Sequence, residues 1–364
     1  MTIPFVDLKA QYNSIKEEMD TAIHAVIDNT AFVAGHYAHQ FEQQFADFLG
    51  LKHCIGCANG TDSLEMLLKA MGVGPGDEVI VPAISWISTS EVVSTVGATP
   101  VFVDVHPQYY TIDIDKIEEK ITSKTKAIIP VHLYGQPVDM PRLMQLARKH
   151  HLKVLEDCAQ AHGAQINGQM IGTFGDCASF SFYPGKNLGA YGDAGGMVTN
   201  NDEIAKIARM IGNHGQQGKH NHLMEGRNSR LDGLQAAVLS VKLKYLHQWT
   251  EGRIVNANKY SELLKNAEVT IPTVIEGGKH VFHLYVIRTQ NRDAVMQYLK
   301  DAGVGVAIHY PTALPLLKCY ESRGYTKEDF PVAYAVTQEI ISLPMYAELS
   351  DKHIQEVTKL LHNK

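Results

Sequence analysis

Apolar residues gather in short runs at 53–57, 78–82, 100–104, 126–131, 152–156, 177–182 and 195–199. Runs of this length, bounded by turn-forming residues, read as strands buried on both faces. Between most of them lie stretches with helical periodicity, at 61–71, 85–96, 114–121 and 140–151. The alternation predicts a doubly wound α/β core, a mostly parallel seven-stranded sheet with helices on both faces. From about 229 a long helical pattern, "SRLDGLQAAVLSVKLKYLHQWTEGRIVNANKYSELL", carries the chain out of that layer. A strand-like 280–289, a helix at 292–302, an apolar run at 304–311 and a last helix near 350–362 then read as a smaller α+β domain. The expected division is a large domain over 1–245 and a small one over 246–364.

Open sheets of this kind take ligands at the carboxyl ends of their strands, and the chemistry-bearing residues sit there in sequence. Lys186, in "SFSFYPGKNLGAYGDAGGMVTN" (179–200), lies between an apolar run and a glycine-rich turn. A lysine desolvated in such a place becomes a nucleophile able to form an imine with an aldehyde cofactor. Asp157 and Gln160 close another run in "VLEDCAQAHGA" (154–164). A carboxylate near a pyridine nitrogen keeps that nitrogen protonated, which is what pyridoxal 5'-phosphate (PLP) needs to withdraw electrons. Gln160 is placed to bond the ring hydroxyl. In "CANGTDSLEMLLKAMG" (57–72), Gly60, Thr61 and Ser63 open an amphipathic helix whose first amides make an anion cup for the phosphate. Ser181 offers a second hydroxyl, and Trp86 in "VPAISWISTSEVV" (81–93) follows the next run as a stacking ring.

Together these segments resemble the DegT/DnrJ/EryC1/StrS family of PLP-dependent sugar aminotransferases, of fold type I. The likeness runs nearly end to end through "FVDLKAQY" (5–12), "ANGTDSL" (58–64), "GVGPGDEVIVPAISW" (72–86), "EDCAQAHGA" (156–164), "SFYPGKNLGAYGDAGG" (181–196), "NSRLDGLQAAVL" (228–239), "HYP" (309–311) and "SLPMY" (342–346). The resemblance implies that Lys186 binds PLP covalently, Asp157 pairs with the pyridine nitrogen, Trp86 stacks, and Gly60, Thr61 and Ser181 hold the phosphate. It implies a homodimer with active sites at the interface, in which Asn228 reaches the phosphate of the other subunit. Tyr183, His309 and Tyr310 become contacts to the sugar or the amino donor, with His162 a similar candidate. L-glutamate is the implied donor, leaving as 2-oxoglutarate, with pyridoxamine 5'-phosphate as the aminated cofactor. A lysine at 186 disfavours the dehydratase branch, which carries histidine there. The opening "VDLKAQYNSIKEEMDTAI" (6–23) is similar to the branch that aminates C3 of nucleotide-linked 3-keto sugars. A dTDP-3-keto-6-deoxyhexose is the first expectation, for lipopolysaccharide O-antigen or another surface polysaccharide. A UDP-3-keto-glucuronate or a 4-keto sugar is the alternative.

Composition narrows the field modestly. With 364 residues, 45% of them hydrophobic, the chain buries a full core, and its net charge of −6 argues against a nucleic-acid surface. No apolar stretch reaches membrane-spanning length and the first residues lack a secretory pattern, so a cytoplasmic enzyme is expected. Five cysteines fit a reducing compartment. Cys54 and Cys57 form a lone CxxC, read as buried thiols, and His214, His220 and His222 read as a polar loop, so no metal site is expected. "GVGPGD" (72–77) carries Asp77 where a nicotinamide fingerprint needs glycine, and Asn187 follows Lys186 where a phosphate-loop NTPase needs Ser or Thr. A non-catalytic PLP-binding regulator is the reading from another class, and the complete catalytic set argues against it.

Overall fold

The computed structural model describes residues 2–363. Seven strands, β1 (His53–Cys57), β2 (Glu78–Pro82), β3 (Thr99–Val103), β4 (Thr125–Ile128), β5 (Lys153–Asp157), β6 (Cys177–Ser181) and β7 (Gly195–Thr199), form one sheet in the order β1-β7-β6-β5-β4-β2-β3. β7 runs against both of its neighbours, and every other adjacent pair is parallel. Helices α1 (Leu8–Ser14), α2 (Lys16–Asp28) and α3 (Gly35–Leu49) precede the sheet, while α4 (Gly60–Ala70), α5 (Ser88–Thr95), α6 (Met140–Lys149) and α7 (Asp202–Gly212) alternate with its strands or follow it. After them come α8 (Gly233–Leu243), α9 (Leu246–Leu263), α10 (Arg292–Asp301), α11 (Pro331–Glu339) and α12 (Asp351–His362), with the antiparallel pair β8 (Tyr285–Arg288) and β9 (Ile340–Leu343) among them.

Strand periodicity sorts the apolar residues between the two faces. Val79 and Val81 pack with Leu64, Leu67, Val92 and Val93 of α4 and α5, whereas Ile80 between them joins Met140, Leu143 and Ala147 of α6. Phe180 and Val198 meet Phe41 and Phe45 of α3. A separate core unites Tyr260 of α9, Leu299 of α10, Tyr285, Ile341 and Val357. The chain's start returns to this core, where Ile3 bridges to Val304.

Three expected elements differ. Over 114–121 two short 3-10 turns, Ile114–Lys116 and Glu118–Lys120, replace the helix, because the Asp113 side chain caps the first and the spacing of Ile114, Ile117 and Ile121 satisfies the core without a full helix. The long pattern from 229 splits at Lys244–Tyr245, where three-residue hydrogen bonds to Val241 and Lys242 tighten the chain and turn α8 into α9. Within 280–289 only Tyr285–Arg288 is strand. The apolar run 304–311 is pinned by Gly305 bonding back to Ile3 and by Ala307 bridging to β9.

Candidate active site

The carboxyl ends of β2, β5 and β6 open onto a cavity of about 600 Å³, a size that holds a cofactor and part of a substrate. α4 begins at its edge. Asn59 caps that helix, its Oδ1 accepting from the Asp62 amide at 2.8 Å and its carbonyl accepting from the Ser63 amide at 3.1 Å. The amides of Gly60 and Thr61 lack helical acceptors by geometry, and both residues line the cavity, so the positive end of the helix faces it. A Cβ on Gly60 would come within 2.7 Å of the Ser181 Cβ. The glycine therefore lets the end of β6 bring Ser181 to the same corner. The Thr61 hydroxyl is shared with Ser88 Oγ at 2.7 Å.

Asp157 ends β5 and is 5% exposed. One carboxylate oxygen accepts from Thr89 Oγ1 at 2.9 Å and the other from the Ala159 amide at 3.1 Å. Burial pushes its carboxyl up, against the pull of those two donors and of Lys186. Lys186 sits in the turn after β6, its amide bonded to the Tyr183 carbonyl at 2.8 Å. It keeps some surface because the cavity is open beside it, yet protein surrounds its amine. Burial draws that amine down to about 8, opposed by Asp157. The two charges influence each other, and both side chains line the cavity.

Gln160 is fixed at both ends, accepting from the Tyr134 amide at 2.7 Å and donating to the Tyr310 hydroxyl at 3.1 Å. Tyr310 in turn leans on Trp86, ring centres 5.6 Å apart. Trp86 and Tyr183, each 58% exposed, stand at the mouth. His309 lines the cavity with Nδ1 2.8 Å from Ser342 Oγ, and burial holds its imidazole down to about 4.

Two candidates lie elsewhere. Asn228 is exposed, in a bridge with Asn213, and does not line this chain's cavity. His162 is sealed behind β6 against Phe180 and Phe182, with burial pulling it down to about 3 and no well-formed hydrogen bond at either ring nitrogen, so it cannot touch a sugar from there. Cys54 and Cys57, three apart on a strand, point to opposite faces and join different cores, and burial raises both thiols. His214, His220 and His222 are exposed in a loop. Among the described residues, the group of at least three metal-type side chains within reach of one another is His132, Glu156 and Cys158. Glu156 there already accepts from the amides of Gly172, Phe174 and Gly175, and His132 Nδ1 accepts from the Val138 amide at 3.1 Å. That leaves Nε2–H of His132 to donate to Glu156 at 3.1 Å, a closed structural network.

Sequence reasoning missed Thr89, Asn59, His283 and Arg253, all of which line the cavity or hold residues that do. A cap-type asparagine before a helix could have flagged Asn59. Thr89 bonds a residue 68 positions away, which no local pattern signals.

A lysine with a lowered pKa, a buried carboxylate across a gap, and a helix N-terminus beside a bare glycine make up a site that fits PLP. The family model for the DegT/DnrJ/EryC1/StrS aminotransferases matches residues 13–362. The chain belongs to this family. It is 44% identical, over 99% of its length and 97% of the relative's, to a UDP-N-acetyl-3-dehydro-α-D-glucosamine 3-aminotransferase from Acidithiobacillus ferrooxidans. It is 43% identical, over 99% of both chains, to a dTDP-3-amino-3,6-dideoxy-α-D-galactopyranose transaminase from Aneurinibacillus thermoaerophilus. The crystal structure of S. venezuelae DesV in complex with a ketimine intermediate superposes with a TM-score of 0.97 at 39% identity, covering 100% of this chain and 98% of that one. Solved family structures carry PLP or pyridoxamine phosphate. This DegT/DnrJ/EryC1/StrS protein is therefore a PLP-dependent aminotransferase of fold type I from a nucleotide-sugar family. No helix among the described residues is long and apolar enough to cross a membrane.

Proposed function

We propose that this aminotransferase transfers the amino group of L-glutamate to C3 of a nucleotide-linked 3-keto sugar, a dTDP-3-keto-6-deoxyhexose, for surface polysaccharide. Two relatives that match almost the whole chain, in the dTDP and UDP series, both bear names that put nitrogen at C3, and this supports the position more strongly than the nucleotide. The UDP-3-keto-glucuronate reading stays second, favoured by a 40% identical relative named for that amination.

The observation that carries transamination is Lys186 facing Asp157 across the cavity. When bound, PLP supplies an aldehyde that captures the donor's nitrogen and a ring that draws electrons from the donor's Cα. Lys186 would anchor that aldehyde; once displaced, its amine would take the proton from the donor's Cα and return it one position away. An amine near 8 is well suited, since both of its protonation states are populated close to neutral pH. Asp157 is costly to ionise in its buried setting unless a cation pairs with it, so it and a protonated ring nitrogen hold each other charged. Thr89 and Ala159 aim its two oxygens. The Gly60 and Thr61 amides, with Ser181, would hold the phosphate, Trp86 would cover the ring, and Gln160 would bond the ring hydroxyl. Asn228, exposed and away from its own cavity, serves the phosphate of a second copy in a homodimer. Tyr183, His309 and Tyr310 contact the sugar; a neutral His309 can accept or donate a hydrogen bond without adding charge.

The test offers the glutamate-loaded enzyme dTDP- and UDP-linked 3-keto and 4-keto sugars and follows amino-sugar formation by mass spectrometry. Turnover of the dTDP-3-keto sugar above the others is expected. Preferential turnover of a 4-keto sugar overturns the C3 assignment.

A further inference from the structure

The turn that carries Lys186 is closed tightly on itself. Ala190 donates its amide to the Phe182 carbonyl and Phe182 donates to Ala194, both at 2.8 Å, so the stem is part of the β6–β7 connection. At Gly189 a Cβ would come within 2.3 Å of the Pro184 carbonyl oxygen, which shows how closely the two limbs approach. The outer limb is held from outside by α8. Gln235 accepts from the Tyr191 amide at 2.8 Å, and a Cβ on Gly192 would come within 2.9 Å of the Gln235 amide nitrogen. One turn pair further along α8, the Lys242 ammonium donates to the Gly189 carbonyl at 2.7 Å and lies 4.4 Å from the centre of the Tyr191 ring.

Lys242 is an expensive choice for that place. It is 1% exposed, and its ammonium donates to a backbone carbonyl rather than to a carboxylate. Glu348 is felt only from farther away, and burial draws the ammonium down to about 8. A charge so placed costs stability unless its contacts serve another end, and an apolar side chain of similar length would fill the space at less cost. What Lys242 touches is the carbonyl three residues from the reactive amine.

We propose that Lys242 is a positioning residue for the amino-transfer reaction, holding the Lys186 turn in register through the Gly189 carbonyl and the Tyr191 ring. The inference rests on the assignment of Lys186 as the PLP-binding lysine.

The test compares wild type with Lys242→Met, which keeps length and loses the donor, and Lys242→Gln, which keeps a neutral donor. Amide hydrogen exchange of the cofactor-free proteins reads the turn without reference to activity, and steady-state kinetics and thermal unfolding of the PLP-loaded proteins complete it. For Lys242→Met we expect faster exchange confined to 183–191 and an unfolding temperature equal to or above wild type. Its kcat should fall about 10- to 100-fold with KM for donor and acceptor little changed, the signature of a misplaced catalytic group. Lys242→Gln should recover part of both turn protection and kcat. Unchanged exchange in 183–191, an unchanged kcat, or rate losses that simply track falling unfolding temperatures in both variants would overturn the proposal. If wild type itself transfers no amino group, the functional assignment fails, while the exchange arm still reports whether Lys242 holds the turn.

Discussion

Replacing Thr89 by valine removes one of the two hydrogen bonds that aim Asp157 while keeping the shape of the side chain. The threonine is 1% exposed and its hydroxyl lies 2.9 Å from the carboxylate, so no water takes its place without rearrangement. A hydrogen bond to a charged group is worth about 1.5–3 kcal/mol. At about 1.4 kcal/mol per pKa unit, its loss raises the Asp157 pKa by roughly 1–2 units, because the lost bond favoured the ionised form. In the proposed role Asp157 acts ionised, so activity should be lost as pH falls through that pKa. The acid limb of kcat/KM should therefore move up by roughly 1–2 pH units in Thr89→Val. Thr89→Ser, which retains the hydroxyl, should leave the limb in place. Ser85 also loses a partner in the valine variant, at 2.7 Å, so a Ser85→Ala control separates the two effects. An acid limb that stays put in Thr89→Val, or moves equally in Thr89→Ser, would refute the claim that this bond tunes Asp157.

Capture of PLP by the cofactor-free protein should accelerate with rising pH and level off above about 8, since only the neutral Lys186 amine attacks the aldehyde and burial has lowered its pKa to about 8; stopped-flow absorbance checks this, and a rise continuing past pH 10 contradicts it. Gly60→Ala sets a methyl against Ser181 and should weaken PLP binding roughly 5- to 150-fold, the equivalent of about 1–3 kcal/mol of overpacking, measured by equilibrium dialysis. Asn228→Ala and Lys186→Ala proteins should each be impaired, the second inactive. Mixing them should restore activity through hybrids that carry one intact site, and absence of any recovery would exclude a shared active site.

Strand positions were legible because each apolar run is buried on both faces and its length leaves no other solution; β1, β2 and β7 fall where the runs lie. The 114–121 segment was not, since three isoleucines spaced by three and four fit a helix and a pair of 3-10 turns equally well, and the Asp113 cap decided between them. The bend between α8 and α9 carries no glycine or proline, so only tertiary packing sets it. At the site, residues at strand ends announce themselves by position, which is why the sequence singles out Asp157, Lys186 and Gly60, three residues that line one cavity. Residues that act on those residues did not. Thr89 and Lys242 reach across 68 and 53 positions, one on a helix face that looks ordinary and the other within a pattern that reads as core.

The account turns on Lys186 as the residue that takes PLP and gives it up to the amino donor. Borohydride reduction of the PLP-loaded protein followed by peptide mass mapping tests this directly. A phosphopyridoxyl group should appear on Lys186 alone, and prior incubation with L-glutamate should abolish it. Labelling of another lysine, or labelling of Lys186 that glutamate leaves undiminished, would contradict the account.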